Sequence, residues 1–554
     1  MSKHSLLIPI LVAVPSALHA QQAPLWSNTG FTMPFPAKSL AVLADYNGNG
    51  TDDVAICDNS TLRIVDGNGT LLATHATQAF SVDRVDWDQN GVDDVIVGSQ
   101  MTSIGEVLVF LAGTPQGAAP ITGQFFANNV TGVRMLGDLQ GDGFPDVAVT
   151  QFTSPNLQIF SVETLTFGGS TPHRVHPVGV SVESLGDFNG DGTAEYAIGT
   201  AFAGVDVFDG ASGTMLFNLV EGSMIDFGAT IQNLGDVDSD GFDDIAIADV
   251  SQGTVFVVSG AGLNSITPTG GTTLLTPAMT LYTLQADDHR QAGGTQSTSD
   301  AFGFSISSTG DIDGDGAPDF IVGNYLTERT DPDDNDNPDA LPGVGTWPQL
   351  NVIPPGANTG VVRLVSGATG TTIKQFFSPA ANHFGIQVAG GGDLDNDGIP
   401  DFVAADSNGS SSDVTVAFSG NVEIGAVFGP GVPNSTGNVG TATGRGSQAA
   451  AANSLTIEFR NLPVGAFGYM IMSPKQRPNP VVIGSGINYL GNPLFRFPGV
   501  FVGASGGVDY TVDLSVPAGG TLPFDPFTRW NFQFYHRDLG PTENLSEALT
   551  IGLY

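Results

Sequence analysis

The sequence predicts an all-β protein: a seven-bladed β-propeller followed by a small C-terminal β-sandwich. Three observations carry it. A nine-residue acidic loop recurs seven times, and a short apolar run of strand length follows each copy. Gly (74) and Pro (34) are abundant among 554 residues, while charged residues make up only 13%. That composition suits short strands joined by tight turns and disfavours long surface helices.

Residues 1–20 read as a secretory signal peptide. A basic start holding Lys3 precedes an apolar run from Ser5 to Ala17, and Ala20 offers a small residue for cleavage before Gln21. The run is too short to span a bilayer, and Pro9 and Pro15 interrupt it. The expected location is therefore extracellular or at the cell surface, where free calcium is plentiful. One cysteine, Cys57, leaves no intrachain disulfide.

The formal net charge is −39, which excludes the usual basic surface of a nucleic-acid binder. The charge is uneven. Residues 21–429 carry 49 acids against nine bases, whereas residues 430–554 carry seven of each. This shift marks a domain boundary, and the Gly/Pro-rich stretch 430–447 reads as a linker before a β-sandwich at 448–554.

Between residues 21 and 429 the loop starts at Asp45, Asp86, Asp138, Asp187, Asp236, Asp311 and Asp393. Each copy places oxygen-bearing side chains at positions 1, 3, 5 and 9, and Gly at position 6. The candidate metal ligands are Asp45, Asn47, Asn49 and Asp53, then Asp86, Asp88, Asn90 and Asp94. The third and fourth loops supply Asp138, Gln140, Asp142 and Asp146, and Asp187, Asn189, Asp191 and Glu195. The fifth supplies Asp236, Asp238, Asp240 and Asp244, and the sixth Asp311, Asp313, Asp315 and Asp319. The seventh supplies Asp393, Asp395, Asp397 and Asp401. Alternate spacing around a tight turn lets such side chains converge on one point, and all-oxygen donors suit Ca²⁺ rather than zinc or copper. Without a cation, several carboxylates in one turn repel strongly, so several structural Ca²⁺ ions per chain are expected. Acidic turns held by their own hydrogen bonds are the competing explanation.

Strand-like runs follow each loop, such as Phe320-Ile321-Val322-Gly323, and further strands such as Gly360 to Ser366 and Thr371 to Phe377 complete a unit. Four strands in each of seven units is the arithmetic of a propeller. Two insertions, 261–299 and 325–359, lengthen the array, and the second holds an acidic run starting at Asp331.

These units resemble FG-GAP/VCBS repeats, the repeats of the integrin α-subunit head. Phe227-Gly228, Phe302-Gly303 and Phe384-Gly385 precede the fifth to seventh loops, and the run from Gly235 to Ala246 follows the repeat pattern. The resemblance covers roughly residues 38–429. It implies one Ca²⁺ per loop, between the first two strands of a blade, and partner binding on the opposite face. The first four units lack the Phe-Gly pair, amides stand at Asn47, Asn49, Asn90, Gln140 and Asn189, and Glu195 replaces Asp at position 9, so the fifth to seventh loops are expected to bind most tightly and the first, third and fourth more weakly.

No residue pattern calls for a catalytic role. Gly503-Ala504-Ser505-Gly506-Gly507 lies between strands, not on a strand-to-helix elbow. His173 and His176 read as a surface pair, and Trp530 as core. The leading expectation is a binding or adhesion protein for extracellular protein or polysaccharide. The alternative is a polysaccharide-active, lyase-like enzyme on a propeller scaffold, weakened by the scarcity of cations in the propeller. A passive spacer is a third reading.

Overall fold

Apolar runs that start immediately after each acidic loop pair back onto the strand before it. In the computed structural model, position 9 opens the second strand and, in all loops but the first, sits opposite the residue before position 1, as in Gly235↔Asp244, Gly310↔Asp319 and Gly392↔Asp401. The structure describes residues 24–31, 40–286, 301–325 and 360–553. Within these, the stretches 59–60, 102–103, 114–118, 121, 127–129, 152–156, 166–171, 177–178, 201–203, 223–225, 377–382, 407–412, 448–452, 517, 519–521, 523, 525–527 and 538–542 are not described. The expected leader at 1–20 and the acidic run at 331–339 lie outside the described residues.

Seven antiparallel sheets follow one another. The first is Leu40–Leu43, Asp53–Asp58, Thr61–Val65 and Leu71–Ala76, and the second Ala79–Val85, Asp94–Met101, Ile104–Phe110 and Thr122–Phe126. The third is Val130–Gly137, Asp146–Gln151, Leu157–Ser161 and Arg174–His176. The fourth is Ser181–Gly186, Glu195–Thr200, Gly204–Phe208 and Met215–Val220, with Gly271–Leu274 added in parallel. The fifth is Phe227–Gly235, Asp244–Asp249, Thr254–Val258 and Thr280–Gln285, and the sixth Phe302–Gly310, Asp319–Asn324, Val361–Val365 and Thr372–Phe376. In the seventh, Gln387–Gly392, Asp401–Ala405 and Asp413–Phe418 are completed by Trp26–Phe31 from the other end of the chain.

The first strand of each sheet packs on the first strand of the next, and the seventh returns to the first. Asp52 N–H donates to the Asp393 carbonyl at 3.1 Å, and Asp393 N–H returns a bond to Asp52 Oδ2 at 2.8 Å. The architecture is all-β and compatible with a β-propeller. Hydrophobic clusters lie between neighbouring sheets, such as Val205, Phe217, Ile231 and Ile247 between the fourth and fifth.

Phe227, Phe302 and Phe384 are buried in these seams, each contributing about 2 kcal/mol by area. Their glycine partners are needed for geometry: Gly303 has φ +82°, and a Cβ there would lie 2.7 Å from Val255 Cγ2.

Three sequence expectations change. The stretch 261–299 is not all insertion, because Thr280–Gln285 is the fourth strand of the fifth sheet and Gly271–Leu274 joins the fourth. The proposed linker 430–447 contains Thr441–Arg445, which pairs with Thr456–Arg460. Ala426–Gly429, placed in the array by the sequence, pairs with Ala548–Gly552 of the C-terminal module. In that module a three-stranded and a seven-stranded sheet share one core built on Ile457, Phe459, Met470, Trp530, Phe532 and Phe534. Trp530 is core, as its pattern predicts.

Candidate metal centres

The loops share one frame. In all seven, the position 1 carboxylate accepts the backbone N–H groups of positions 5 and 6. The fifth loop is typical: Asp240 N–H and Gly241 N–H reach Asp236 at 3.0 and 2.9 Å. The same pair of bonds closes the turns on Asp45, Asp86, Asp138, Asp187, Asp311 and Asp393. Gly241 adopts φ +93°, a conformation that favours glycine.

Position 9 is the buried anchor. Asp53, Asp94, Asp146, Glu195, Asp244, Asp319 and Asp401 are each 0% exposed. One oxygen holds the loop, as where Val237 N–H donates to Asp244 Oδ2 at 2.9 Å. In four loops the other oxygen accepts the N–H at the exit of the third strand, from Ala112, Gly260, Gly367 and Gly420. Glycine is required at Gly367, because a Cβ would come within 1.8 Å of the Pro318 carbonyl.

Positions 3 and 5 separate the loops. Among the described residues, five groups of three carboxylates offer oxygens within 4.8 Å of one another. These are Asp86, Asp88 and Asp94; Asp191, Glu195 and Asp209; Asp236, Asp238 and Asp244; Asp311, Asp313 and Asp315; and Asp393, Asp395 and Asp401. Burial, reinforced by neighbouring carboxylates, pushes Asp244, Asp401 and Glu195 up to about 7. Burial and mutual repulsion also raise Asp313 and Asp319. Hard oxygen donors converging without a counter-charge fit a divalent cation such as Ca²⁺.

Asp209 was not legible as a site residue. It stands at the exit of the fourth sheet's third strand, where Asn189 weakens the loop. Asp66 holds the same place in the first sheet, and Asn49 Nδ2 donates to it at 3.2 Å. An acid immediately after an apolar third strand, in units with an amide at position 3, is the signal that could have found both.

The first and third loops are not among the five groups. In the first, Asn47 Nδ2 donates to Asp53 Oδ1 at 3.3 Å. In the third, Asp146 Oδ1 is met by His173 Nε2 at 3.0 Å and by Gln140 Nε2 at 3.3 Å. The two histidines are therefore not a surface pair. His176 is buried, with Nε2 3.0 Å from the Tyr196 hydroxyl, and burial with Arg174 nearby lowers its pKa to about 4.

The first strands also enclose space. A cavity of about 480 Å³ lies between their starts, lined by Thr131, Thr230, Phe304 and Ser305. One of about 720 Å³ lies towards the acidic loops. Arg134 borders both. Its guanidinium binds Glu183, donates to Gln232 Oε1 at 3.1 Å, and stands 3.7 Å from Asp83.

No protein-family model matches the chain, and no curated protein matches it. Among solved structures, it is similar to BBS1N in complex with ARL6DN, in a crystal soaked with mercury. That likeness has 11% identity and a TM-score of 0.43, covering 72% of this chain and 96% of that one. The lead-soaked crystal of the same complex gives 11% identity and a TM-score of 0.42 over the same shares.

Proposed function

We propose that the chain is an exported, calcium-stabilised β-propeller of seven blades with a C-terminal β-sandwich, acting as a binding module for an extracellular protein or polysaccharide. The carrying observation is the loop frame repeated seven times, with carboxylate oxygens gathered in five copies. Such a cluster in five of the seven hairpins supports a structural cation there: the ion offsets repulsion within the turn and stiffens the blade, so binding free energy becomes folding free energy. Asp, Asn, Glu and backbone carbonyl groups of positions 1, 3, 5, 7 and 9, with Asp209 in the fourth blade, would hold the ions.

A rigid ring leaves the face away from these loops to meet a partner. The cavity there is walled by hydroxyl and apolar side chains together with Glu183, Asp226, Gln232 and Gln387. Arg134, the cation within it, is committed to Glu183 and Asp83, which favours binding over uronate chemistry. The test is a glycan and secreted-protein binding screen of residues 21–554 in calcium and in chelator. Ligand capture that needs calcium and is lost on filling the cavity, by Ser305→Trp, supports the reading. Turnover of a polysaccharide without retained binding overturns it.

A further inference from the structure

The sixth loop differs from its siblings in what covers it. Asp88, Asp238 and Asp395, at position 3 of the second, fifth and seventh loops, are exposed, whereas Asp313 is 5% exposed. The cover is the hairpin Thr441–Arg445 and Thr456–Arg460 of the C-terminal module. Ser454 Oγ donates to the Asp313 carbonyl at 3.0 Å and accepts from Ser447 N–H at 2.9 Å. The Ser447 side chain hydrogen-bonds the Asp313 carboxylate. Next to it, Arg445 donates to Asn421, whose Nδ2 donates to Asp397 of the seventh loop at 2.7 Å. The residues flanking the turn of one hairpin thus touch the sixth loop directly and the seventh through one amide.

We propose that the sixth loop is an interdomain clamp, in which a hard divalent cation on Asp311, Asp313 and Asp315 and docking of this hairpin reinforce one another. The inference rests on the calcium reading above and extends it to regulation of one site. The physics is that of a covered charge cluster. Asp313 lies under Ser447 and Ser454 beside the half-buried Asp311 and Asp315, and carboxylates gathered there repel more than in water, because the effective dielectric is lower. Without a cation the loop relieves that repulsion by admitting water, which means parting from the hairpin. With a cation, the same cover strengthens the attraction between ion and carboxylates. Coupling of this kind is reciprocal. The exposed fifth loop has no such cover and serves as the internal control.

The test uses the whole mature chain, residues 21–554. Hydrogen exchange is followed in Thr441–Arg445 and Thr456–Arg460 with calcium and with chelator, alongside ions counted by native mass spectrometry. The clamp requires that chelation lift protection in this hairpin. The double variant Asp313→Asn, Asp315→Asn should lose one ion and remove the calcium dependence of that protection. Asp238→Asn with Asp240→Asn should lose one ion and keep it. The double variant Ser447→Ala, Ser454→Ala should keep the fold and weaken one site by about tenfold. Hairpin protection that is the same in calcium and chelator, while ions are still counted, overturns the clamp and leaves the calcium reading standing. A chain that binds no calcium overturns both.

Discussion

The third and sixth loops are built on the same nine residues' worth of backbone and end in opposite chemistry. Both have a position 1 carboxylate closing the turn and a fully buried position 9 carboxylate. In the third, His173 and Gln140 meet the Asp146 oxygen. In the sixth, Asp311, Asp313 and Asp315 converge under the C-terminal module. The frame and the metal set are therefore separable. Positions 1, 6 and 9 make the hairpin; positions 3 and 5, with whatever the neighbouring strands deliver, decide whether three carboxylates converge.

The largest expected effect tests the metal side. Chelation should lower the melting temperature sharply, since each filled site at a hundredfold excess over its Kd contributes about 2.7 kcal/mol. Calorimetry in calcium and in chelator reads it, and a melting temperature indifferent to chelator would break the comparison. Next comes the frame. Asp146→Ala removes a buried, multiply bonded carboxylate and should cost about 3 kcal/mol whether calcium is present or not. Asp238→Asn, at an exposed position 3, should be silent in chelator and lose one ion in calcium. Chemical denaturation in both buffers separates the two outcomes.

The strand that follows His173 also carries His176, which gives a pH test independent of metal. Its neighbours are Arg174, Tyr196 and Phe208. A pKa lowered to about 4 in the fold, against 6.5 when unfolded, means the unfolded chain binds the extra proton between those values. This contribution of His176 is complete above pH 6.5 and is lost as pH drops towards 4, by about 3 kcal/mol; the buried carboxylates raised to about 7 act in the opposite sense. In chelator, the stability difference between the parent chain and His176→Gln should change by that amount between pH 6.5 and 4. An unchanged difference would remove His176 from the account.

The smallest expected effect is a conversion. Gln140→Asp with His173→Ser should turn the third loop into a metal-competent one, adding one ion with a change in apo stability of no more than about 1 kcal/mol. An unchanged ion count would show that more than these two residues separates the loops.

The contrast also explains what the sequence could and could not reveal. Everything local was legible: the loop spacing, Gly at position 6, the apolar strand after position 9, and the Phe-Gly pairs whose glycines need positive φ. What escaped was contributed from a distance. Trp26–Phe31 completes a sheet whose other strands begin at Gln387, and nothing in a six-residue run says which edge it will meet. Thr280–Gln285 sits after a helical turn, Gly260–Asn264, so it reads as insertion rather than a fourth strand. Asp209 and His173 act on loops fourteen and twenty-seven residues from their partners Glu195 and Asp146, and only sheet pairing brings them there. Position 8 was missed for the same reason. Asp52 binds the seventh loop and Asp93 accepts the Ala44 N–H of the first sheet at 3.0 Å, so this residue ties neighbouring sheets, while Asp52 Oδ1 also accepts the Asp45 N–H of its own loop at 3.0 Å.

Native mass spectrometry of residues 21–554, exchanged into calcium, tests the central claim most directly. The account expects five ions per chain, one for each loop whose carboxylates converge. No bound calcium would contradict the metal reading outright, and seven ions would contradict the division between loops that gather carboxylates and loops whose amides and histidine take their place.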